Sequence, residues 1–207
     1  MFGLFSTKEK SIYEIKKTTM PTVEDTKDVV AKALSGKIIR PMYENRELIP
    51  CRCGYCYSKM KSVPNLNYIP NKRSRDLYYT SDGFCVVSQK FKDFCVQYLY
   101  GNLIFQKLHN CDFYFFEPQG LFKTDIHWIP FNDFKYWCDA CKSYAEITGG
   151  VLKSKSFELM SDDFILRTDS FRGLYEYKYP IIVIGLETEN KMKAYGLKGI
   201  SFENVYG

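Results

Sequence analysis

Two Cys-x-x-Cys pairs, Cys53 with Cys56 and Cys138 with Cys141, are the strongest constraint that this 207-residue sequence places on its fold. A tight turn brings residues i and i+3 together, so each pair can place two thiolates on one ion. Two such pairs complete a closed tetrahedral sulfur site. A shared site would join segments separated by 81 residues, and this is physically reasonable because loop-closure entropy grows only logarithmically with length.

The cellular compartment favours metal over disulfides. No apolar run has the length of a signal-peptide core or a membrane span, so we expect a cytoplasmic protein with no membrane association. Thiols stay reduced there, and clustered thiols bind metal or carry out redox chemistry. We therefore predict one structural Zn²⁺ held by Cys53, Cys56, Cys138 and Cys141. Cys51 can replace Cys53 as a ligand, and the alternative is that the pairs are ordinary reduced cysteines.

The neighbours of these pairs and the other cysteines carry lesser predictions. Gly54 is expected to take a positive φ in the first turn, and Trp137 to shield one side of the site. Cys85, Cys95 and Cys111 lie within apolar strand or helix patterns, so we predict that they are buried hydrophobic side chains.

Composition and periodicity predict an α+β fold in one domain, residues 1–207. Apolar residues make up 45% and charged residues 26%, which excludes a mostly disordered chain. The pattern indicates a mixed sheet with a few short helices. Residues 49–75 hold the first cysteine cluster and three prolines, and they are predicted to form a zinc-ribbon-like insertion organised by metal.

The N-terminal part contains a predicted helix. Thr22 and Asp25 resemble a capping box that opens a helix over residues 23–34, with an apolar face formed by Val29, Val30, Ala33 and Leu34. Gly36 is expected to end this helix. A short strand is predicted to follow over residues 37–40.

Two similar strand–helix–strand units are predicted near residues 84–105 and 181–202. In the first, Ser88 caps a helix that Gly101 ends; in the second, the corresponding residues are Thr188 and Gly199. The nearly constant offset between the two units suggests duplicated halves, about 20–108 and 109–207, joined by the shared metal site.

These motifs resemble a known family. The two cysteine pairs, residues 87–94 and the closing residues 197–205 are similar to the double-CxxCG-motif immunity proteins of bacterial polymorphic toxin systems. The resemblance covers roughly residues 50–205. In that family a glycine follows each cysteine pair, whereas Tyr57 and Lys142 stand at those positions in this chain.

The resemblance implies a cytoplasmic antitoxin without catalytic activity. Such a protein would bind its cognate toxin as a monomer in a 1:1 complex, with the zinc structural and the four cysteines as ligands. Its 17 Tyr and 16 Phe residues offer large contact area at low entropy cost, which suits a protein–protein surface. The resemblance identifies no toxin-contact residue.

A zinc-ribbon nucleic-acid-binding protein is the alternative function. Residues 1–75 carry 15 Lys+Arg against 7 Asp+Glu, although residues 76–207 carry 14 against 17. Phosphate contacts would come from residues 72–75, Arg52, Lys59 and Lys61, with Tyr55 or Tyr57 stacking on bases. The absence of a complete recognition motif makes nucleic acid the less favoured partner.

An enzyme is not predicted. Asp125 with His127 offers a base and an orienting carboxylate, and Asp162 with Asp163 offers a carboxylate pair, but no partnered nucleophile accompanies either pair. The chain has no Gly-rich phosphate loop, H-E-x-x-H or G-x-S-x-G motif. We therefore predict no catalytic and no cofactor-binding residues.

Overall fold

The computed structural model describes residues 28–71, 74–125, 133–148, 152–155 and 161–207. Within them, two α-helices pack against a sheet. The helices are α1 (Gln89–Gln97) and α2 (Leu186–Tyr195), and 3₁₀ turns lie at Arg46–Leu48 and Tyr175–Tyr177. The strands are β1 (Val29–Ile39), β2 (Leu77–Thr80), β3 (Cys85–Ser88), β4 (Leu103–Lys107), β5 (Phe113–Pro118), β6 (Leu121–Phe122), β7 (Asp133–Cys138), β8 (Ser143–Thr148), β9 (Leu152–Lys153), β10 (Ile165–Leu174), β11 (Tyr179–Ile184) and β12 (Ile200–Tyr206).

All twelve described strands belong to one mixed sheet. Its main path runs β4-β5-β3-β2-β1-β11-β10-β8-β7, and β12, β6 and β9 pair off this path. Most neighbours are antiparallel, while β1 with β2, β6 with β10 and β9 with β12 are parallel. The predicted α+β class with a mixed sheet is confirmed. Neither helix in the described part of the chain is long and apolar enough to cross a membrane.

The helix predicted over residues 23–34 is wrong where the structure describes it. Residues 23–27 lie outside the described residues, and from Val29 the chain is strand β1, which includes residues 37–39 of the short strand predicted at residues 37–40 and ends at Ile39. Ala31 and Ala33 pack into one core cluster and Leu34 into another, so both faces of β1 are buried. A doubly buried strand lacks apolar–polar alternation, and its apolar spacing resembles that of a helix.

The two predicted strand–helix–strand units are present as β3-α1-β4 and β11-α2-β12. In the first, β5 pairs antiparallel with both strands; in the second, β1 pairs antiparallel with both. Each unit therefore has two parallel strands flanking one antiparallel strand. In the second unit the middle strand is β1, which precedes the first unit along the chain. The duplication of halves 20–108 and 109–207 stays a prediction.

Both helices pack into the same core cluster. Phe91 and Phe94 of α1 and Met192 of α2 are fully buried there, and the rings of Phe94 and Tyr195 meet at 5.4 Å. The predicted Ser88 cap is confirmed, since its Oγ accepts a hydrogen bond from the Phe91 N–H at 3.2 Å. The helix ends at Gln97, earlier than the predicted stop at Gly101.

The three cysteines predicted as hydrophobic side chains differ in burial. Cys85 and Cys95 are buried in the core cluster beneath the helices, as predicted, and burial raises the pKa of both thiols well above the usual range. Cys111 is only partly buried and packs at the margin of a second core cluster. The two buried thiols are therefore poor nucleophiles and poor ligands.

The N-terminal cap of α2 is Gly185, not the predicted Thr188. Thr188 lies inside the helix, where its hydroxyl donates to Asp163 Oδ1 at 2.9 Å. The backbone carbonyl of Asp162 instead accepts a hydrogen bond from the Glu187 N–H at 2.8 Å, which replaces the hydrogen bond that a capping side chain normally accepts. A Cβ at position 185 would lie 2.0 Å from this carbonyl oxygen, which explains why glycine occupies the position that Ser88 holds in the first unit.

Gly185→Ser is therefore expected to destabilise the protein, although serine is normally the better N-cap by a few tenths of a kcal/mol. The clash with the Asp162 backbone should lower the free energy of unfolding by about 2 kcal/mol. Denaturant unfolding measures this change. Gly101→Ser is the control, because a Cβ there meets nothing within 4 Å. Equal stability of the two variants would contradict the proposed close approach.

Candidate metal centre

Two separate parts of the fold bring the four cysteines together. Cys53 and Cys56 lie on the long loop between β1 and β2, where Arg52 and Lys59 form an isolated antiparallel bridge that closes the first turn. Cys138 ends β7, and Cys141 lies in the turn of the β7–β8 hairpin. This hairpin joins the rest of the sheet through β8 and β10. The Lys59 N–H donates to the Tyr175 carbonyl at 3.2 Å, which holds the loop beside the end of β10.

The four Sγ atoms lie within 4.8 Å of one another. The separation is 3.8 Å between Cys53 and Cys138 and 3.6 Å between Cys56 and Cys141. These distances are far longer than the roughly 2.05 Å of a disulfide. Sulfur atoms about 2.3 Å from a tetrahedral ion are about 3.8 Å apart. The cluster therefore has the dimensions to hold a metal ion and resembles a zinc site.

Cys51, the alternative to Cys53, lies outside this group of four. It is exposed and adopts a left-handed backbone with φ 56°, while its carbonyl accepts the Met60 N–H at 2.9 Å. Cys53 is buried and belongs to the cluster. The geometry thus favours Cys53 over Cys51 as a ligand.

The residue after each cysteine pair has a left-handed backbone. Tyr57 has φ 60° and Lys142 has φ 51°. In the first turn the Tyr57 N–H donates to the Cys53 carbonyl at 3.0 Å. Gly54, expected from the sequence to take the positive φ, does not have one. In both turns the positive φ therefore falls on the residue that follows the second cysteine, a position where glycine would be favoured.

The thiols of the cluster do not ionise equally. Backbone N–H groups of Cys56 and Tyr55 donate to Cys53 Sγ and lower the pKa of Cys53 to about 6. Burial, together with the neighbouring sulfur of Cys56, raises the pKa of Cys141 to about 12. A thiolate at Cys53 therefore opposes the formation of further thiolates beside it. A divalent cation bound by all four sulfurs removes this repulsion.

A buried lysine that the sequence analysis missed lies beside the second turn. Lys178 is 2% exposed, and its Nζ donates to Ser143 Oγ at 3.0 Å and to the Tyr144 carbonyl at 2.5 Å. Burial lowers the pKa of Lys178, and ionisation of the Cys141 or Cys56 thiol would oppose that effect. Among the described residues its ammonium forms no ion pair with a carboxylate. A metal-bound cluster of four thiolates would supply its counter-charge.

The residues predicted to contact nucleic acid differ in their exposure to solvent. Lys59 is buried, its Nζ donates to the Asp82 carbonyl at 2.5 Å and lies 4.0 Å from the Phe84 ring centroid, so it is not presented to solvent. Burial also lowers the pKa of Lys59 to about 8. The Arg52 guanidinium donates to the Glu47 carbonyl at 3.0 Å. Tyr55, Tyr57, Lys61 and Arg75 are exposed, and residues 72–73 lie outside the described residues.

Of the carboxylates considered as catalytic candidates, Asp163 has structural partners, and Asp162 contributes its backbone carbonyl to the fold. Asp163 accepts from Tyr100 Oη at 2.5 Å and from Lys191 Nζ at 2.6 Å. Despite its burial, these bonds lower the pKa of Asp163. The Asp162 carbonyl caps α2, as described above. Asp125 is described, but His127 lies outside the described residues, so the structure does not test that pair.

Trp137, predicted to shield the site, lies on β7 next to Cys138. Its ring meets Tyr144 edge-on at 5.0 Å, and its Nε1–H donates to Asp139 Oδ1 at 3.1 Å. The side chain is nevertheless 51% exposed. Trp137 therefore offers solvent an apolar face close to the cluster.

No family model matches this chain, and no curated protein matches it. The four-cysteine geometry is consistent with the resemblance described from the sequence, and membership of that family stays a hypothesis.

Lys142→Gly is expected to raise the free energy of unfolding by up to about 1 kcal/mol, because glycine relieves the strain of a left-handed backbone. The lysine side chain is 73% exposed, so its removal loses little beyond a weak ion pair with Asp139. Lys37→Gly, at an exposed strand position, is the control and should lower stability by about 1 kcal/mol. Denaturant unfolding distinguishes them. A lower free energy of unfolding for both variants would contradict the expected relief of backbone strain at position 142.

Proposed function

We propose that this protein is an immunity protein that neutralises a cognate bacterial toxin by direct 1:1 binding in the cytoplasm, with a structural zinc held by Cys53, Cys56, Cys138 and Cys141. The observation that carries the proposal is the backbone at Tyr57 and Lys142. Both residues adopt a conformation typical of glycine at the positions where the double-CxxCG family has glycine. This backbone supports the resemblance to that motif, although the glycines themselves are missing.

The donor set supports zinc in a structural role. Four thiolates in a closed tetrahedron suit Zn²⁺ and leave no open position for water or substrate, which a catalytic zinc requires. The hairpin that carries Cys138 and Cys141 pairs with the rest of the sheet through two residue pairs of β8 and β10 in the described part of the chain, so the ion would also anchor it to the first cysteine loop.

The surface around the cluster supports a binding role. Exposed aromatic and apolar side chains lie on both cysteine-bearing segments and beside them: Tyr55, Tyr57, Met60, Tyr136, Trp137 and Tyr177. Aromatic side chains supply much of the binding energy in protein interfaces. Exposed apolar side chains concentrated in one region are typical of an interaction site.

Protein purified without added metal is expected to contain about one zinc per chain, measured by elemental analysis. Cys138→Ser should abolish zinc binding and lower the free energy of unfolding by several kcal/mol, because the ion ties distant segments together. Cys51→Ser is the matched control, since Cys51 is outside the cluster, and should change stability by less than about 0.5 kcal/mol. Zinc loss on changing Cys51 but not Cys53 would overturn the ligand assignment.

Co-expression tests the immunity role. The toxin domain encoded beside this protein should stop growth when expressed alone, and this protein should restore growth and co-purify with the toxin at a fixed 1:1 ratio. Growth rescue without a physical complex would indicate an enzyme that reverses the damage. Binding to nucleic acid that falls steeply between low and moderate salt, without growth rescue, would favour the zinc-ribbon nucleic-acid-binding alternative.

A further inference from the structure

A groove of about 660 Å³ lies beside the cysteine cluster. Its walls are formed by β4 and β5 on one side, by the β7–β8 hairpin on another, and by β10 with residues 59–62 of the first cysteine loop. This volume is in the range of protein pockets that bind a drug-sized molecule, and a short peptide segment is of similar size. The groove is thus continuous with the surface that carries the exposed aromatic side chains.

The walls of the groove are predominantly basic. Five cationic side chains line it against two carboxylates; the cations are Lys59, Lys61, Lys142, Arg167 and Lys178, and the carboxylates are Glu117 and Asp169. Arg167 Nε lies 3.4 Å from Glu117, so these two charges form an ion pair. Lys59 and Lys178 are buried and hydrogen-bonded to backbone carbonyls. Lys61 and Lys142 are exposed at the opening, where an incoming anion meets them first. Lys142 lies 3.4 Å from Asp139 in a solvent-exposed, weak ion pair that such an anion would replace.

An apolar contact lies beside these two lysines. Trp137 and Met60 line the groove and are each more than half exposed. Tyr144 and Phe171, which are partly buried, continue the apolar lining inward. The groove therefore combines positive charge at the opening with an aromatic surface next to it.

We propose that this groove receives an acidic segment of the partner protein, whose carboxylates contact Lys61 and Lys142 and whose apolar side chain packs on Trp137. The identity of the partner rests on the proposed function; the chemistry of the segment follows from the groove. Complementary charge of this kind sets both association rate and specificity.

A protein segment fits these features better than a nucleic-acid strand. The groove is short and carries Glu117 and Asp169 on its walls, whereas a strand needs an extended basic track. Residues 76–207, which form most of the groove, carry 14 Lys+Arg against 17 Asp+Glu, so this part of the chain is not basic overall. The N-terminal residues 1–27 carry five lysines against four acidic residues and so do not complement a basic groove.

The first test measures affinity for the toxin domain by calorimetry. The double variant Lys61→Glu, Lys142→Glu should weaken binding by at least about 100-fold. The control is Lys37→Glu, Lys198→Glu, which makes the same change in net charge at exposed positions outside the groove lining and should weaken binding less than about threefold. Trp137→Ala should weaken binding by at least about tenfold. Unchanged zinc content in each variant shows that the metal site is intact. Equal affinity for the two double variants would overturn the proposal.

The second test needs no toxin and separates failure of the groove from failure of the proposed function. The probe is the acetylated, amidated pentapeptide Asp-Glu-Phe-Asp-Glu, titrated into ¹⁵N-labelled protein. The Trp137 indole signal and the Lys61 and Lys142 amides should shift, and the same peptide with lysine at its acidic positions should shift none of them. If the peptide maps to the groove but the toxin does not bind, the immunity role is wrong and the groove proposal stands. Shifts located elsewhere, or displacement of the peptide by an oligothymidylate, would overturn the groove proposal.

Discussion

Strand β1 joins the two parts of the sheet, and the positions of both cysteine-bearing segments depend on it. Residues up to Gly36 pair with β12 and β11, and residues 37–39 pair with β2 in the parallel direction. The first cysteine loop leaves from the end of β1, and the hairpin with the second pair is reached through β11, β10 and β8. Because both faces of β1 are buried, a register slip would move each of its side chains into the core on the opposite face and would displace both segments.

The sequence predicted the strands and helices whose signals are local. Ser88 caps α1 because a hydroxyl can satisfy a nearby N–H, and that chemistry is visible in the sequence. Strand β1 was not predictable in the same way, because its burial on both faces is produced by distant strands. Gly36, which suggested a helix end, instead allows close approach by Leu77, whose side chain a Cβ would meet at 2.4 Å. Gly185 likewise depends on Asp162, so no local rule for caps identifies it.

The candidate site also combines features that are predictable from local sequence with features that depend on distant residues. The spacing of two cysteine pairs predicted which four sulfurs lie together, because thiol chemistry and turn length are both local properties. Lys178 lies 37 residues beyond Cys141 in a segment with no metal-binding pattern, and only the pairing of β8 with β10 brings it beside the hairpin. The groove is a product of tertiary structure as well, since its lysines and its tryptophan come from separate segments.

The β7–β8 hairpin is joined to the sheet over a short stretch, and this makes the lifetime of the folded protein depend on its metal. Two residue pairs, Gly173 with Ile147 and Leu174 with Glu146, connect β8 to β10 in the described part of the chain. With zinc bound as proposed, the hairpin is also anchored to the first cysteine loop. Without it, the Lys178 ammonium stays buried opposite a cluster with too little negative charge, and opening the hairpin relieves that cost. Zinc supply would then set how readily cellular proteases cleave this segment, and so how long the protein persists.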